Sequence, residues 1–363
     1  GHNYFRSKNP YRLNSWAGFG EVYYQVAPDV KLTGGLRFTD DRKYFEVIPS
    51  WTFLIGGGYP VEAVVNQEWK EVTGRFNAEW SPKLDFTDQT LVYASFSHGY
   101  KGGGANPPGP VPNEFSAQSF ITHPATFDPE FINAFEIGTK NTLLDGNMSL
   151  NADLFFYDYK GYQISQIVDR TSINLNIDAK VKGAEVEATW EPLPGLRFNL
   201  AGGLQDSSIN DGQSAIDLMD RTAGHTDWMV VKPFVSSTSN CVLPASVIRQ
   251  LIVNNPGAGP LGFACDVAYG GGGLLTLFGS PDLSSFNVVG FDPAQSPNNG
   301  EGFAKGLGGN KLPNTPPFTL SIGGQYSMPL SDDWAGTLRT DFYWQGNSFA
   351  RLFNDKPYDQ IHG

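Results

Sequence analysis

The chain has 363 residues, a formal net charge of −12 and an isoelectric point near 4.8. Proteins that bind nucleic acid neutralise phosphates with a basic surface, so this acidity argues against nucleic acid as a partner. Gly and Pro together make up roughly a fifth of the residues, against about an eighth on average, which favours strands and turns over a helix-rich enzyme.

Hydropathy predicts no membrane-spanning helix. Such a helix needs an apolar stretch of about 18 residues or more. The best candidate, Trp51–Val65, is interrupted by three glycines, by Pro60 and by Glu62. A membrane β-barrel stays open at this point, because its alternating strands keep the mean hydropathy low.

Alternation of apolar and polar residues recurs along the chain and predicts strands with one apolar face. Five segments show it most clearly: Leu32–Phe38, Val72–Trp80, Met148–Phe156, Ala184–Trp190 and Leu338–Trp344. By pattern, the strands span about 10 to 13 residues, whereas a typical globular strand has about 5 or 6. A tilted membrane strand needs about 9 to 11 residues.

Short turns and long loops alternate between these strands. The turns are rich in turn-forming residues and lie at Ala27–Asp29, Phe86–Gln89, Leu144–Asn147, Glu191–Gly195 and Pro329–Asp333. The predicted loops are about Asp40–Glu68, Gly99–Glu130, Lys160–Ile177 and Ser207–Pro316. Outer-membrane barrels combine short periplasmic turns with long extracellular loops. The sequence therefore predicts an all-β fold, an antiparallel transmembrane up-and-down β-barrel.

Aromatic residues support this fold. Trp80, Trp190 and Tyr326 are predicted on the apolar face, beside short turns. Membrane barrels carry girdles of aromatic residues at both edges of their lipid-facing band. Ordinary strand-end aromatic residues of a soluble sheet are the alternative interpretation.

Three passages carry a family resemblance. The first runs from Pro129-Glu130 through Phe135–Lys140 and Leu144–Asn151 to Phe155–Tyr159. The second runs from Lys182–Glu187 to Gly202, and the third from Leu312–Pro316 into Phe318–Tyr326. In these passages the chain resembles the β-barrel portion of the TonB-dependent outer-membrane receptors.

The resemblance implies about ten strands of a 22-stranded barrel with a plugged lumen. We expect residues 1–363 to form part of that barrel domain, with 207–316 as an extracellular loop. No N-terminal plug domain, TonB-box-like segment or closing strands are recognisable, so we expect a fragment.

For the intact protein, the resemblance implies a receptor in the outer-membrane lipid of a Gram-negative bacterium. It would import a scarce small-molecule ligand, most commonly a ferric siderophore, into the periplasm with energy from TonB. Two alternatives stay open: a passive porin-like channel, and a receptor of the same family for a carbohydrate or another non-iron nutrient. An enzyme is not expected.

Motifs for other chemistry are weak. Gly257–Gly262 matches G-x-G-x-x-G but lacks a preceding strand, and Pro260 withholds a backbone N–H from a phosphate. The five histidines show no metal-binding spacing, so neither a metal site nor a cofactor is predicted. Charged residues on the polar strand faces are predicted to line a hydrated lumen rather than to act in catalysis: Arg75, Glu79, Asp153, Glu185, Glu187, Arg339 and Asp341.

The longest loop contains the only two cysteines and several aromatic residues. Cys241 and Cys265 lie 24 positions apart, which suits a disulfide in an oxidising compartment, whereas two free thiols would suit a cytosolic protein. Trp228, Tyr269 and Phe278 are predicted to contact a ligand by stacking. The alternative is that they pack the loop against itself.

Overall fold

The computed structural model describes residues 5–6, 9–47, 51–52, 63–106, 124–168, 171–231, 241–256, 264–269 and 282–362. Within this part of the chain, ten long strands form one antiparallel sheet in which each strand pairs with its neighbours in sequence. The strands are β1 (Tyr11–Ala27), β2 (Val30–Val47), β3 (Ala63–Trp80), β4 (Gln89–Lys101), β5 (Glu130–Leu143), β6 (Met148–Val168), β7 (Thr171–Leu193), β8 (Leu196–Ile209), β9 (Phe318–Ser331) and β10 (Trp334–Gln345).

The five predicted short turns lie at one end of this sheet, which we call the short-turn end; the opposite end is the long-loop end. Pro28 and Asp29 join β1 to β2, and residues 144–147 join β5 to β6. Between β7 and β8, Gly195 adopts a φ of 83°. A Cβ atom there would lie 2.2 Å from the carbonyl oxygen of Ser327, so only glycine fits this turn.

The predicted loop Lys160–Ile177 is wrong, because β6 and β7 stay paired as far as Val168 and Thr171. An irregularity lies between Tyr159 and Tyr162, where Gly161 adopts a φ of 64° and donates its N–H to Asp178. The extra residue shifts the alternation by one position. Before it, odd-numbered residues of β6 lie on the polar face, and after it even-numbered ones do. In the sequence, the alternation of apolar and polar residues is therefore interrupted at this point, although the strand continues.

The predicted loop Asp40–Glu68 is also too long. β2 continues to Val47 and pairs with β3 from Ala63 onward. The charged residues in this stretch suggest a loop in the sequence, but they pair across the strands, for example Arg42 with Glu68 at 3.2 Å. As a result the strands span 12 to 23 residues, longer than predicted.

One face of the sheet is apolar and exposed. Across β3 to β6, Phe76, Phe96, Phe135 and Phe156 occupy one row. Near the short-turn end, Trp80, Trp190 and Tyr326 lie on the same face with 43–48% of their surface exposed. An exposed apolar face with aromatic residues beside its short turns is typical of a membrane barrel.

In the part of the chain that the structure describes, the α-helices lie in the connection between β8 and β9 and in the segment after β10. They are α1 (Ala245–Asn254), α2 (Ala264–Tyr269) and α3 (Lys356–Asp359). Among the described residues, none of the helices combines the length and the hydrophobicity that crossing a membrane requires.

Candidate functional site

The polar face of the sheet carries all seven residues predicted to line a lumen. Glu79, Asp153 and Glu185 occupy one row that runs across β3 to β7. The remaining four residues belong to the same face. Each lies an even number of positions along its own strand from a residue that the register places on this face, and side chains at that spacing share a face. They are Arg75, Glu187, Arg339 and Asp341. We call this surface the charged face.

Carboxylates gather at the centre of the charged face. Asp153 lies directly opposite Glu185 in the register of β6 and β7. Glu136, which was not among the predicted site residues although it alternates with Phe135 and Ile137, accepts a hydrogen bond of 2.5 Å from the Tyr93 hydroxyl. Because like charges placed opposite each other destabilise a sheet, this centre is suited to a hydrated surrounding or a cationic partner.

Ion pairs flank the acidic centre. Arg75 contacts Glu21 on β1 at 2.8 Å, and Lys31 contacts Glu79 at 2.5 Å. On β10, the guanidinium of Arg339 donates two hydrogen bonds of 2.8 Å to Asp341. Their cationic side chains are 40–60% exposed, so solvent screens the charges and each pair contributes little to the stability of the sheet.

At the long-loop end, loop segments pack onto the same face as Asp153. Leu307 and Leu312 precede β9, and Leu352 follows β10. These three buried residues form a core, here called the inner cluster, with Phe155, Ile177, Ala179, Val181 and Ile209. The connection between β8 and β9 therefore folds back over the sheet.

Asparagine side chains hold the two loop segments together. Asn354 accepts a hydrogen bond of 2.6 Å from the backbone N–H of Lys311. Asn310 donates through its amide to the carbonyl of Leu352 at 2.8 Å. The backbone N–H of Asn314 donates to the carbonyl of Phe349 at 2.8 Å. Residues 310–314 and 349–354 thus form one hydrogen-bonded unit above the charged face.

A buried ionic network connects this unit to the start of the long loop. Arg351 contacts Asp217 and Asp359, both at 2.6 Å, and the two carboxylates are almost fully buried. Lys305 lies 2.8 Å from Asp220 and 3.5 Å from Asp217. The hydrogen bond from Lys305 holds the pKa of Asp220 below its usual value. Burial by itself would lower the pKa of Lys305, but its two carboxylate partners outweigh that effect and raise it.

The long loop also has a core of its own, built around the cysteines. The structure joins Cys241 to Cys265 in a disulfide, and neither residue is more than 1% exposed. A short ribbon, Trp228–Val231 paired with Cys241–Pro244, packs with α1 and α2 around this bond. We call this assembly the loop core.

Tyr269, one of the predicted ligand contacts, packs against the loop core. Its hydroxyl donates a hydrogen bond of 2.6 Å to the carbonyl of Val242, and burial raises the pKa of this hydroxyl. Its ring lies over Gly300, where a Cβ atom would come within 2.4 Å of it. This position makes Tyr269 a packing residue of the loop.

Trp228 lies beside two other aromatic rings of the loop. It is half-buried and meets the ring of Phe303 edge-on at 5.5 Å, while His225 stacks on the same ring at 3.9 Å. Phe278, the third predicted contact, lies outside the described residues.

A cleft of about 610 Å³ separates the tip of the β6–β7 hairpin from the loop segments, and we call it the rim cleft. Its walls include Tyr162 and Ile164 from β6, Met219 from the start of the long loop, and Leu352 and Phe353 from the segment after β10. The inner cluster, into which Leu352 is buried, forms its base. The cleft brings together four segments that are distant in sequence: the β6–β7 hairpin, 218–219, 313–314 and 350–353. No short motif marks it.

No set of three or more His, Cys, Asp and Glu side chains could hold a metal ion in the part of the chain that the structure describes. What the sheet and its loops offer is an acidic wall and, above it, a largely apolar cleft. Both are features of binding or transport.

Comparison with known families decides the identity of this sheet. The family described as TonB dependent receptor-like, beta-barrel matches residues 2–229 of the chain. The chain belongs to the TonB-dependent receptor family. The predicted family and the antiparallel barrel fold are confirmed, and the protein is one of the Gram-negative outer membrane.

Solved structures of TonB-dependent receptors share the fold. The ferric yersiniabactin uptake receptor FyuA from Yersinia pestis has 15% identity and a TM-score of 0.56, with 97% of this chain and 37% of that chain covered. The siderophore receptor PiuA from Acinetobacter baumannii has 15% identity and a TM-score of 0.53, with coverage of 94% and 34%. The copper transporter OprC has 12% identity and a TM-score of 0.51, with coverage of 96% and 36%.

The chain spans a little over a third of the length of these receptors. At such identities the likeness concerns the fold alone. The family comprises receptors and transporters rather than enzymes.

Proposed function

We propose that the protein is an outer-membrane receptor that captures a scarce ligand at the cell surface and imports it into the periplasm with energy transmitted by TonB. We propose an iron–siderophore complex as the ligand class. Family membership supports the receptor function. The observation that carries the proposal is the folding of the loop segments over the charged face, which leaves the rim cleft above the acidic wall.

The orientation of the sheet is part of this proposal. The apolar face, with its exposed aromatic residues, would contact lipid, and the charged face would line the lumen. The long-loop end, including residues 207–316, would lie outside the cell, and the short turns would lie in the periplasm. The disulfide between Cys241 and Cys265 supports this placement, because such bonds persist in oxidising compartments.

Among the predicted ligand contacts, we propose Trp228 as the residue that meets the ligand. Its ring is half-buried next to Phe303 and His225, which gives a stacking surface on a fixed support. Tyr269 would act indirectly, by holding the loop core together.

Uptake measurements test the function. Whole cells that carry the full-length protein should accumulate radioactive iron from ferric siderophores faster than cells that lack it. Deletion of TonB or addition of a protonophore should abolish the difference. Uptake that survives both treatments would identify a passive channel. Uptake of labelled oligosaccharides in place of iron would identify a carbohydrate receptor.

A further inference from the structure

We propose that the rim cleft binds an uncharged aromatic group of the imported ligand. This inference rests on the proposed function and narrows its ligand class. It follows from the lining of the cleft, from the charge state of that lining and from the rigidity of the cleft walls.

The lining is mainly apolar and aromatic. Tyr162 and Phe353 supply rings, while Ile164, Leu352 and Met219 supply aliphatic or thioether surface. Met219 is 74% exposed, so its side chain is available to an incoming group. Apolar and aromatic linings with a few polar groups are typical of small-molecule sites.

The charge of the lining argues against an anionic group. Among the described residues that line the cleft, Arg351 is the one charged side chain. Its Nη1 and Nε atoms already contact Asp217 and Asp359, both at 2.6 Å. Its guanidinium also lies over the ring of Phe353, 5.5 Å from the centroid. An anion in the cleft would have to compete with two buried carboxylates for this cation.

Apart from Arg351, the polar groups that line the cleft are neutral and suit amide or hydroxyl partners. Gln166 and Asn314 contribute side-chain amides, and Ser172 contributes a hydroxyl. They can orient a ligand through hydrogen bonds without compensating a formal charge. The chemistry that fits is an aryl group next to neutral hydrogen-bonding atoms.

The walls of the cleft are fixed before a ligand arrives. The hydrogen bonds of Asn310 and Asn354 join the segments that carry Pro313 and Phe353. The inner cluster holds the hairpin against them. Little ordering is therefore needed on binding, which favours affinity. The volume of about 610 Å³ lies within the range of ordinary ligand sites, about 300 to 1,000 Å³.

Three ferric complexes of defined charge test the proposal with the purified full-length protein and calorimetry. Ferric tris-benzohydroxamate is neutral and aromatic, ferric tris-acetohydroxamate is neutral and lacks rings, and ferric tris-catecholate is aromatic but carries three negative charges. We expect the benzohydroxamate complex to bind at least about tenfold more tightly than either of the others. Equal or tighter binding of the catecholate complex would overturn the assignment of an uncharged group.

Substitutions locate the binding to the cleft. Phe353→Ser should weaken the benzohydroxamate complex about tenfold. Phe353 packs against the inner cluster, so its substitution could also disturb the fold of the loop segments. Met219→Lys and Met219→Glu avoid this problem, because Met219 is exposed. Met219→Lys should strengthen binding of the catecholate complex and Met219→Glu should weaken it. Phe86→Lys, at a 76% exposed position near the short turns, is the matched control and should change nothing. If neither Met219 substitution changes the affinity for the catecholate complex, the cleft does not take part in ligand binding.

Iron-free benzohydroxamic acid separates this inference from the proposed function. If cells do not import iron but the free acid binds the protein and Phe353→Ser weakens it, the cleft assignment holds and the import function fails. If iron is imported while neither aromatic probe responds to the cleft substitutions, the import function holds and the cleft assignment fails.

Discussion

Arg351 donates a hydrogen bond of 2.6 Å from Nη1 to the carboxylate of Asp217, although the two residues are 134 positions apart in the sequence. The Asp217 side chain is 1% exposed, and that of Arg351 is 27% exposed. Through this contact the segment after β10 is attached to the start of the loop that follows β8. Each segment therefore depends on the other for its position over the charged face.

Arg351→Ala should release both loop segments. It would leave Asp217 and Asp359 buried without their main cation, and breaking a buried pair in this way costs about 3 to 5 kcal/mol. Hydrogen exchange of the full-length protein should speed up in peptides covering 214–222 and 349–362. Arg339→Ala removes an exposed arginine from an ion pair of similar geometry and serves as the control. Unchanged exchange in both variants would contradict the role given to Arg351.

The same network should respond to acid. The pKa of Asp220 in the folded protein is lowered by its hydrogen bond to Lys305, so its contribution to stability is complete above its usual pKa of 3.8. That contribution is lost as the pH falls through the lowered value. The protection factors of the amides in 214–222, which correct for the intrinsic pH dependence of exchange, should therefore fall below about pH 4. Lys305→Met should remove most of this pH dependence, because protonation of Asp220 then no longer breaks an ion pair with residue 305. A pH profile that is the same in both proteins would rule out the pair as its cause.

Features that depend on residues close in the sequence could be predicted, whereas contacts between residues distant in the sequence could not. The faces of β6 were predicted because Leu150, Leu154 and Phe156 alternate with polar residues within one strand. The irregularity between Tyr159 and Tyr162 was not, because a one-residue shift leaves no local pattern to follow. The contact between Arg351 and Asp217 depends on tertiary packing alone. The charged face was therefore predictable, and the rim cleft was not.

The two faces of β6 can be tested with neighbouring residues. Leu154 is 59% exposed on the apolar face, and Asp153 lies on the charged face. If the apolar face contacts lipid, Leu154→Arg should cost about 2 to 4 kcal/mol near the bilayer midplane. Asp153→Ser should not lower the stability of the barrel, because it removes one of two carboxylates that face each other and repel. The yield of heat-modifiable folded barrel on a gel measures both; equal losses would refute the assignment of the faces.

Alkylation of the cysteines tests the compartment of the long loop. In the mature protein, mass spectrometry without reductant should find neither Cys241 nor Cys265 labelled, and reduction in denaturant should expose both. Substituting both cysteines by serine should destabilise the loop core by roughly 3 kcal/mol in the chain-entropy model. Full labelling of both thiols without reductant would contradict the pairing and weaken the extracellular placement of residues 207–316.

Ligand specificity should depend mainly on the connections at the long-loop end, 99–130 and 207–316, because these connections are long enough to cover a lumen mouth. Deleting residues 241–273 removes the disulfide and part of the loop core that supports Trp228. Binding should weaken at least about tenfold, or about 1.4 kcal/mol. Shortening Pro329–Asp333, which lies at the opposite end of the sheet, should leave binding intact. The measurement is ligand binding to whole cells that display each full-length variant at equal surface abundance. If the deletion leaves affinity unchanged, the ligand is held by the lumen wall or by a domain inside the barrel, and the loop core does not hold it.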